Sequence, residues 1–150
     1  MSAFRFRAQA ALDLRRRELA AAQRHLARAE QDRDAARRAV EKAAAAVHGA
    51  REAGSDQSRH AQTATDLQWY RFWILRLEHE TRSAQSRLAA REGDVAKAAA
   101  ACVHAKQRCE SLERFRDKAR HVYERKQADV ERKLIDELAT TRYNERRLIS

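Results

Sequence analysis

Six histidines and two cysteines are the side chains best suited to hold a metal or to act as base or nucleophile, so their spacing is the first question the sequence poses. His25, His48, His60, His79, His104 and His121 contain no pair three or four residues apart, the spacing at which two imidazoles on one helix converge on an ion. Solvated helix surface is the better reading. Cys102 and His104 are neighbours in the chain, but two helical steps turn about 200° and point them to opposite faces. Cys102 and Cys109 are one heptad apart, a rise of about 10 Å on a helix, beyond the roughly 7 Å within which two Cα atoms can be bridged. Both are expected as reduced, small apolar side chains. Gly49, Gly54 and Gly93 form no phosphate-cradling loop. No catalytic constellation emerges, and the expectation is a chain without enzymatic activity, metal or cofactor.

The elements that must position any site follow from composition. The chain has 150 residues and a formal net charge of +10; 36% of it is charged, 6% is aromatic, and there are 3 glycines and no proline. That leaves few turn formers and little material for a large apolar interior, whereas Ala, Arg, Glu, Lys and Leu in excess describe long helices or coiled coils. The longest apolar stretches, Ala43 to Val47 and Ala98 to Val103, fall far short of the roughly 18 residues that span a bilayer. Arginines interrupt the N-terminus where a signal peptide would need an apolar run. The expectation is a cytoplasmic protein without direct membrane insertion.

Two helices account for the pattern. An alternating three-and-four spacing runs Ala8, Leu12, Arg15, Leu19, Ala22, Leu26, Ala29, Arg33, Ala36, Val40, Ala43, Val47, Ala50, a sustained heptad seam broken only by its two arginines. Gly54-Ser55-Asp56-Gln57-Ser58 reads as a helix stop, and Thr65-Asp66-Leu67-Gln68 as a capping box for a restart. The second seam runs Leu67, Tyr70, Ile74, Leu77, Thr81, Ala84, Leu88, Arg91, Val95, Ala98, Cys102, Ala105, Cys109, Leu112, then shifts phase to Phe115, Ala119, Val122, Val130, Leu134 and Leu138. Gly93 lies outside the seam, so continuity through it is favoured over a break into three helices. The expected fold is all-α, an antiparallel two-helix coiled-coil hairpin forming one domain over 1–150. Helix one covers about 4–53, the turn about 54–65 and the longer helix two about 66–147. At 1.5 Å per residue the helices measure about 75 Å and about 120 Å. Folding near residue 60 sets Phe4 opposite Arg116 and leaves the last ~30 residues, about 45 Å, without an internal partner.

The start of helix two, Trp69-Tyr70-Arg71-Phe72-Trp73-Ile74, holds four of the nine aromatic residues. Tyr70, Ile74 and Leu77 share an arc of about 60° and face the alanine-rich stretch of helix one. At 100° per residue from Tyr70, Trp73 falls near −60°, Trp69 near −100° and Phe72 near −160°. These three form an outward ridge beside Arg76 and Glu80, the pattern of a partner-binding anchor. Basic residues cluster at Arg15-Arg16-Arg17, Arg37-Arg38, Arg114 to Arg120 and Arg142 to Arg147, but they alternate with carboxylates as on a salt-bridged helix. A dedicated nucleic-acid stripe is therefore weaker than the net charge suggests.

The opening Phe4-Arg5-Phe6-Arg7-Ala8-Gln9, followed by Leu12-Asp13-Leu14-Arg15, resembles that of the flagellar type III export FliJ family. The segment from Leu112-Glu113-Arg114 to Asp136-Glu137 resembles the family's C-terminal portion. The resemblance implies an antiparallel coiled coil similar to the central stalk of rotary ATPases, entering a hexameric export ATPase of the FliI type and contacting an export gate protein of the FlhA type. It also implies handling of export chaperones and a peripheral position at the inner-membrane export apparatus. The gate contact maps onto the tip, at Trp69, Phe72, Trp73 and Leu77. The ATPase contact maps onto the paired termini, at Phe4, Phe6, Leu12, Arg15, Val130, Leu134, Leu138 and Arg142. The patch departs from the family's pattern at Glu80 and Ala84, and its helix-one half is alanine and His48 rather than aromatic. Two other classes stay open, a basic nucleic-acid-binding coiled coil and a homomeric scaffold, as does the equivalent stalk protein of an injectisome. The stalk reading is favoured by the unequal helices, the tip aromatics and the N-terminal motif.

Overall fold

The computed structural model describes residues 3–60 and 63–149, the side chains of Gln57 and Ser58 excepted. Among these residues there are two helices and no strand, α1 (Gln9–His60) and α2 (Ala64–Ile149), an all-α hairpin whose second helix is the longer. Residues 61 and 62 of the expected turn lie outside the described residues, as do Met1, Ser2 and Ser150.

Helix α1 starts later and ends later than the spacing predicts. Ala3 to Phe6 precede it as non-helical chain, and the amide of Gln9 donates to the Phe6 carbonyl at 3.2 Å to open the first turn. At the far end the helix runs through Gly54 to His60, where the expected stop residues Gly54-Ser55-Asp56 continue it instead. No described residue has positive φ, so Gly54 is not the left-handed cap that a terminating glycine usually supplies. The helix closes on Arg59 and His60, basic side chains suited to the negative end of the helix dipole. The His60 ring donates from Nδ1 to the Asp56 carbonyl at 2.9 Å.

Helix α2 starts at Ala64, two residues before the expected start at about 66. Its cap is Thr63, whose Oγ1 accepts from the Asp66 amide at 3.3 Å, and Asp66 also places a negative charge on the first turn. The helix passes Gly93 without a break; that glycine is exposed, with nothing within 4 Å of where a Cβ would stand.

Two compact units divide the chain, one of Leu19–His104 and one in which residues 1–18 join residues 105–150. In the first, Leu19, Ala22, Leu26, Ala29, Arg33, Ala36, Val40, Ala43, Val47 and Ala50 are all buried or half-buried, as the α1 seam predicts. Arg33 sits in this seam because its aliphatic stem is covered while its guanidinium reaches Asp34 at 3.1 Å. Facing them are Tyr70, Ile74, Leu77, Thr81, Ala84, Leu88, Val95, Ala98 and Cys102. Thr81 is tolerated there because its hydroxyl donates to the Leu77 carbonyl at 2.9 Å. Leu67 and Arg91 are exposed rather than seated, and Arg91 reaches Asp32 across the pair at 3.9 Å. An ion pair joins Arg51 to Glu78. Rising numbers on α1 meet falling numbers on α2, so the helices are antiparallel within this unit.

The same order holds in the second unit. Leu12 is fully buried at 0% exposure, with Phe6, Ala105 and Cys109 also buried. Arg16 pairs with Glu113 at 3.5 Å. The expected phase shift at Phe115 does not occur: half-buried positions continue as Leu112, Arg116, Ala119, Tyr123 and Gln127, while Phe115 and Val122 are exposed. Phe115 flanks the seam and still meets the Phe6 ring, at 5.7 Å between centroids.

Candidate functional site

The first candidate surface is the tip of the Leu19–His104 unit. Trp69 is 73% exposed, Phe72 69% and Trp73 45%, so the expected ridge is present in geometry. Arg76 and Glu80 stand beside it and pair with each other at 3.4 Å. Leu77 does not belong to the ridge: at 9% exposure it lies in the seam beneath, where α1 covers it. Leu75, also exposed, extends the apolar surface beyond Phe72. A scan of aromatics alone passes over it.

Beside the ridge, Tyr70 turns inward onto Gly54. A methyl placed on Gly54 would come 2.7 Å from the Tyr70 hydroxyl oxygen, 2.5 Å from Cζ and closer still to Cε1. The phenol thus occupies the space that any other residue would fill at position 54. Its hydroxyl is shielded from solvent and has no hydrogen-bond partner among the described residues.

The second candidate surface is the end of α2 in the other unit. Residues 3–7 form a strap along it, with Phe4 and Tyr123 rings 5.6 Å apart and Phe6 beside Phe115. Phe4 was expected near Arg116 but lies at Tyr123, because a non-helical strap advances about 3.3 Å per residue against 1.5 Å for a helix. Coverage therefore extends further along α2 than helix pairing would carry it. The expected ~30-residue overhang shortens accordingly: Gln127 is half-buried, and every described residue from 128 to 149 is exposed.

This division sorts the candidate residues of the termini. Phe6 and Leu12 are buried and Phe4 half-buried, and all three hold the strap and α1 to α2. Arg15 is half-buried and pairs with Glu18 at 2.9 Å. Val130, Leu134, Leu138 and Arg142 are exposed and offer a surface. Measured from Tyr123 at 100° per residue, Val130 falls near −20°, Leu134 near +20°, Leu138 near +60° and Leu148 near −20°. They continue, in phase, the face that the strap covers upstream. Ile135 and Tyr143 are exposed off that face.

Chemically reactive groups are few. Burial pushes the Cys109 thiol above its ordinary pKa, and the Glu113 carboxylate, 3.8 Å from the sulfur, adds to the rise. Among the described residues no three His, Cys, Asp or Glu side chains come together as an ion would need. Shallow grooves along the Leu19–His104 unit are floored by alanines such as Ala36, Ala39 and Ala84 and edged by Arg87 and Arg91. None of the described helices is long and apolar enough to cross a membrane.

No curated protein and no solved structure matches the chain. The flagellar FliJ protein family does, across residues 5–148, a span that takes in the Phe6 strap, both helices, the aromatic tip and most of the uncovered end. By that match the chain belongs to the flagellar FliJ protein family and is a component of flagellar protein export.

Proposed function

We propose that this chain is a non-enzymatic stalk and coupling component of the export apparatus, with one docking surface at each candidate site. The observation that carries the reading is the face of Val130, Leu134, Leu138 and Leu148, which continues a buried seam in phase and then runs without cover. An apolar stripe of that kind on an exposed helix is a liability unless another protein covers it. The pore of the hexameric export ATPase is the partner that the family suggests. Because one chain cannot match six identical subunits at once, its contacts there are weak and partly electrostatic, and they promote ring closure and hydrolysis.

The tip ridge is the second surface. Trp69, Phe72 and Trp73 are large, rigid and desolvated at little cost on binding, the chemistry of interface anchors. The export gate protein is the partner that the family suggests for it, with export chaperones handled by the same chain. Both contacts would hold the protein at the cytoplasmic side of the membrane-bound apparatus, through partners rather than by insertion.

A chain ending at Gln127 tests the reading directly. It keeps Tyr123, Phe115 and the strap, so the hairpin is undisturbed, and it lacks only the uncovered end. Hydrolysis by the cognate hexamer is measured with the full and the shortened chain across a salt series. The full chain should stimulate, less so as salt rises, and the shortened chain should not. Equal stimulation by the two would exclude the end of α2 as the stalk.

A further inference from the structure

We infer that Gly54 and Tyr70 form a latch that fixes the rotation of the first turns of α2 against α1 and thereby limits how far Trp69 and Trp73 stand exposed, which makes Gly54 a positioning residue for the tip surface. The inference rests on the reading of that ridge as a partner surface.

Glycine inside a helix is unfavourable relative to alanine, and at Gly54 no left-handed backbone requires it, since φ is negative there. The residue continues the α1 seam by the same spacing, Ala43, Val47, Ala50, Gly54, and it is buried. Its use is room. The ring end of Tyr70 lies where a Cβ would be, with the hydroxyl drawn out of solvent and unpartnered among the described residues. A tyrosine on a helix surface ordinarily keeps its hydroxyl in water. Here that preference is overridden by a close approach that only glycine permits.

Geometry connects the seat to the ridge. Trp69 adjoins Tyr70 in sequence, and Trp73 lies one turn on, about 60° away around the helix. With Tyr70 seated, Trp73 rests at 45% exposure and Trp69 at 73%. Lifting the ring off α1 frees these turns to roll and separate, and Trp73 loses what cover it has. Gly49, also on α1, has nothing within 4 Å of its Cβ position and is the internal control.

The chain contains two tryptophans, and both sit on the ridge, so acrylamide quenching of the full-length protein reports the tip with no partner present. The variants are Gly54→Ala, Tyr70→Ala, the two combined, and Gly49→Ala. Quenching should rise, with a red shift of emission, in Gly54→Ala and in Tyr70→Ala, and should stay at the wild-type value in Gly49→Ala. Thermal unfolding should show a change of sign. Gly54→Ala lowers Tm by about 2 °C or more in the natural chain. In the Tyr70→Ala background, with no ring to displace, it raises Tm as a helix-favouring substitution should. Unchanged or reduced quenching in Gly54→Ala, or the same sign of Tm shift in both backgrounds, overturns the latch. Failure of the wild-type tip to bind the gate protein would instead sink the partner reading and leave the latch standing.

Discussion

Replacing Leu134 and Leu138 by alanine separates binding from folding. Leu134 is 56% exposed and Leu138 53%, and what covers the remainder is largely their own helix, so each change should cost the fold under about 0.5 kcal/mol. A partner that covered them fully would bury the exposed half of each side chain. With about 2–3 kcal/mol for a whole leucine, that half amounts to about 1–1.5 kcal/mol per residue and about 2–3 kcal/mol for the pair. At 1.4 kcal/mol per decade the double variant should bind on the order of 100-fold more weakly. The two lie one helical turn apart and are coupled, so the sum is an upper figure. The assay is the concentration of chain giving half-maximal stimulation of the cognate ATPase, read beside the thermal midpoint. Unaltered half-maximal concentration would refute the docking face. A fall in midpoint of many degrees would refute its exposure, since only a face already packed could lose that much.

Two further outcomes follow from single side chains. Cys109 is buried, with a thiol pKa raised first by burial and then by Glu113. Its protonated form is the one the fold favours, and stability should decline as pH climbs above the ordinary thiol range. Thiol labelling at pH 8 should therefore be slower at Cys109 than at Cys102, with the gap closing in denaturant; equal rates in the native protein would contradict the burial. Tyr70→Phe removes a hydroxyl that is out of solvent and unpartnered among the described residues. It should raise stability by about 1 kcal/mol, read as a higher thermal midpoint; a lower midpoint would mean the hydroxyl is satisfied.

Periodicity made the helix pair legible because heptad spacing is local and repeats. Each seam position of α1 from Leu19 to Ala50 is covered as its spacing predicts, and Gly93 lies off the seam and is passed without a break. What the sequence hides is non-local. Gly54 followed by Ser55 and Asp56 carries every mark of a helix stop, and its actual use depends on Tyr70, sixteen residues further along the chain. Phe115 looks like a better seam residue than Arg116 by hydrophobicity alone. The continuing spacing nevertheless seats Arg116, whose long stem covers apolar surface while its head reaches Asp117 at 3.4 Å.

The same limit explains the mixed fate of the candidate sites. Leu12 and Leu134 are both heptad leucines, and nothing in their type or spacing separates them. One is fully buried and the other 56% exposed because, among the described residues, the N-terminal strap reaches Tyr123 and burial ends at Gln127. Leu77 and Trp73 differ in the same way: four residues and about 40° around the helix apart, one falls under α1 and the other beside it. A binding surface on a helix pair is therefore defined less by which residues are apolar than by where the covering segment stops. Here it stops at two places. At the tip Tyr70 turns inward and leaves its aromatic neighbours outside, and past Gln127 the seam runs on exposed, with none of the described residues burying it.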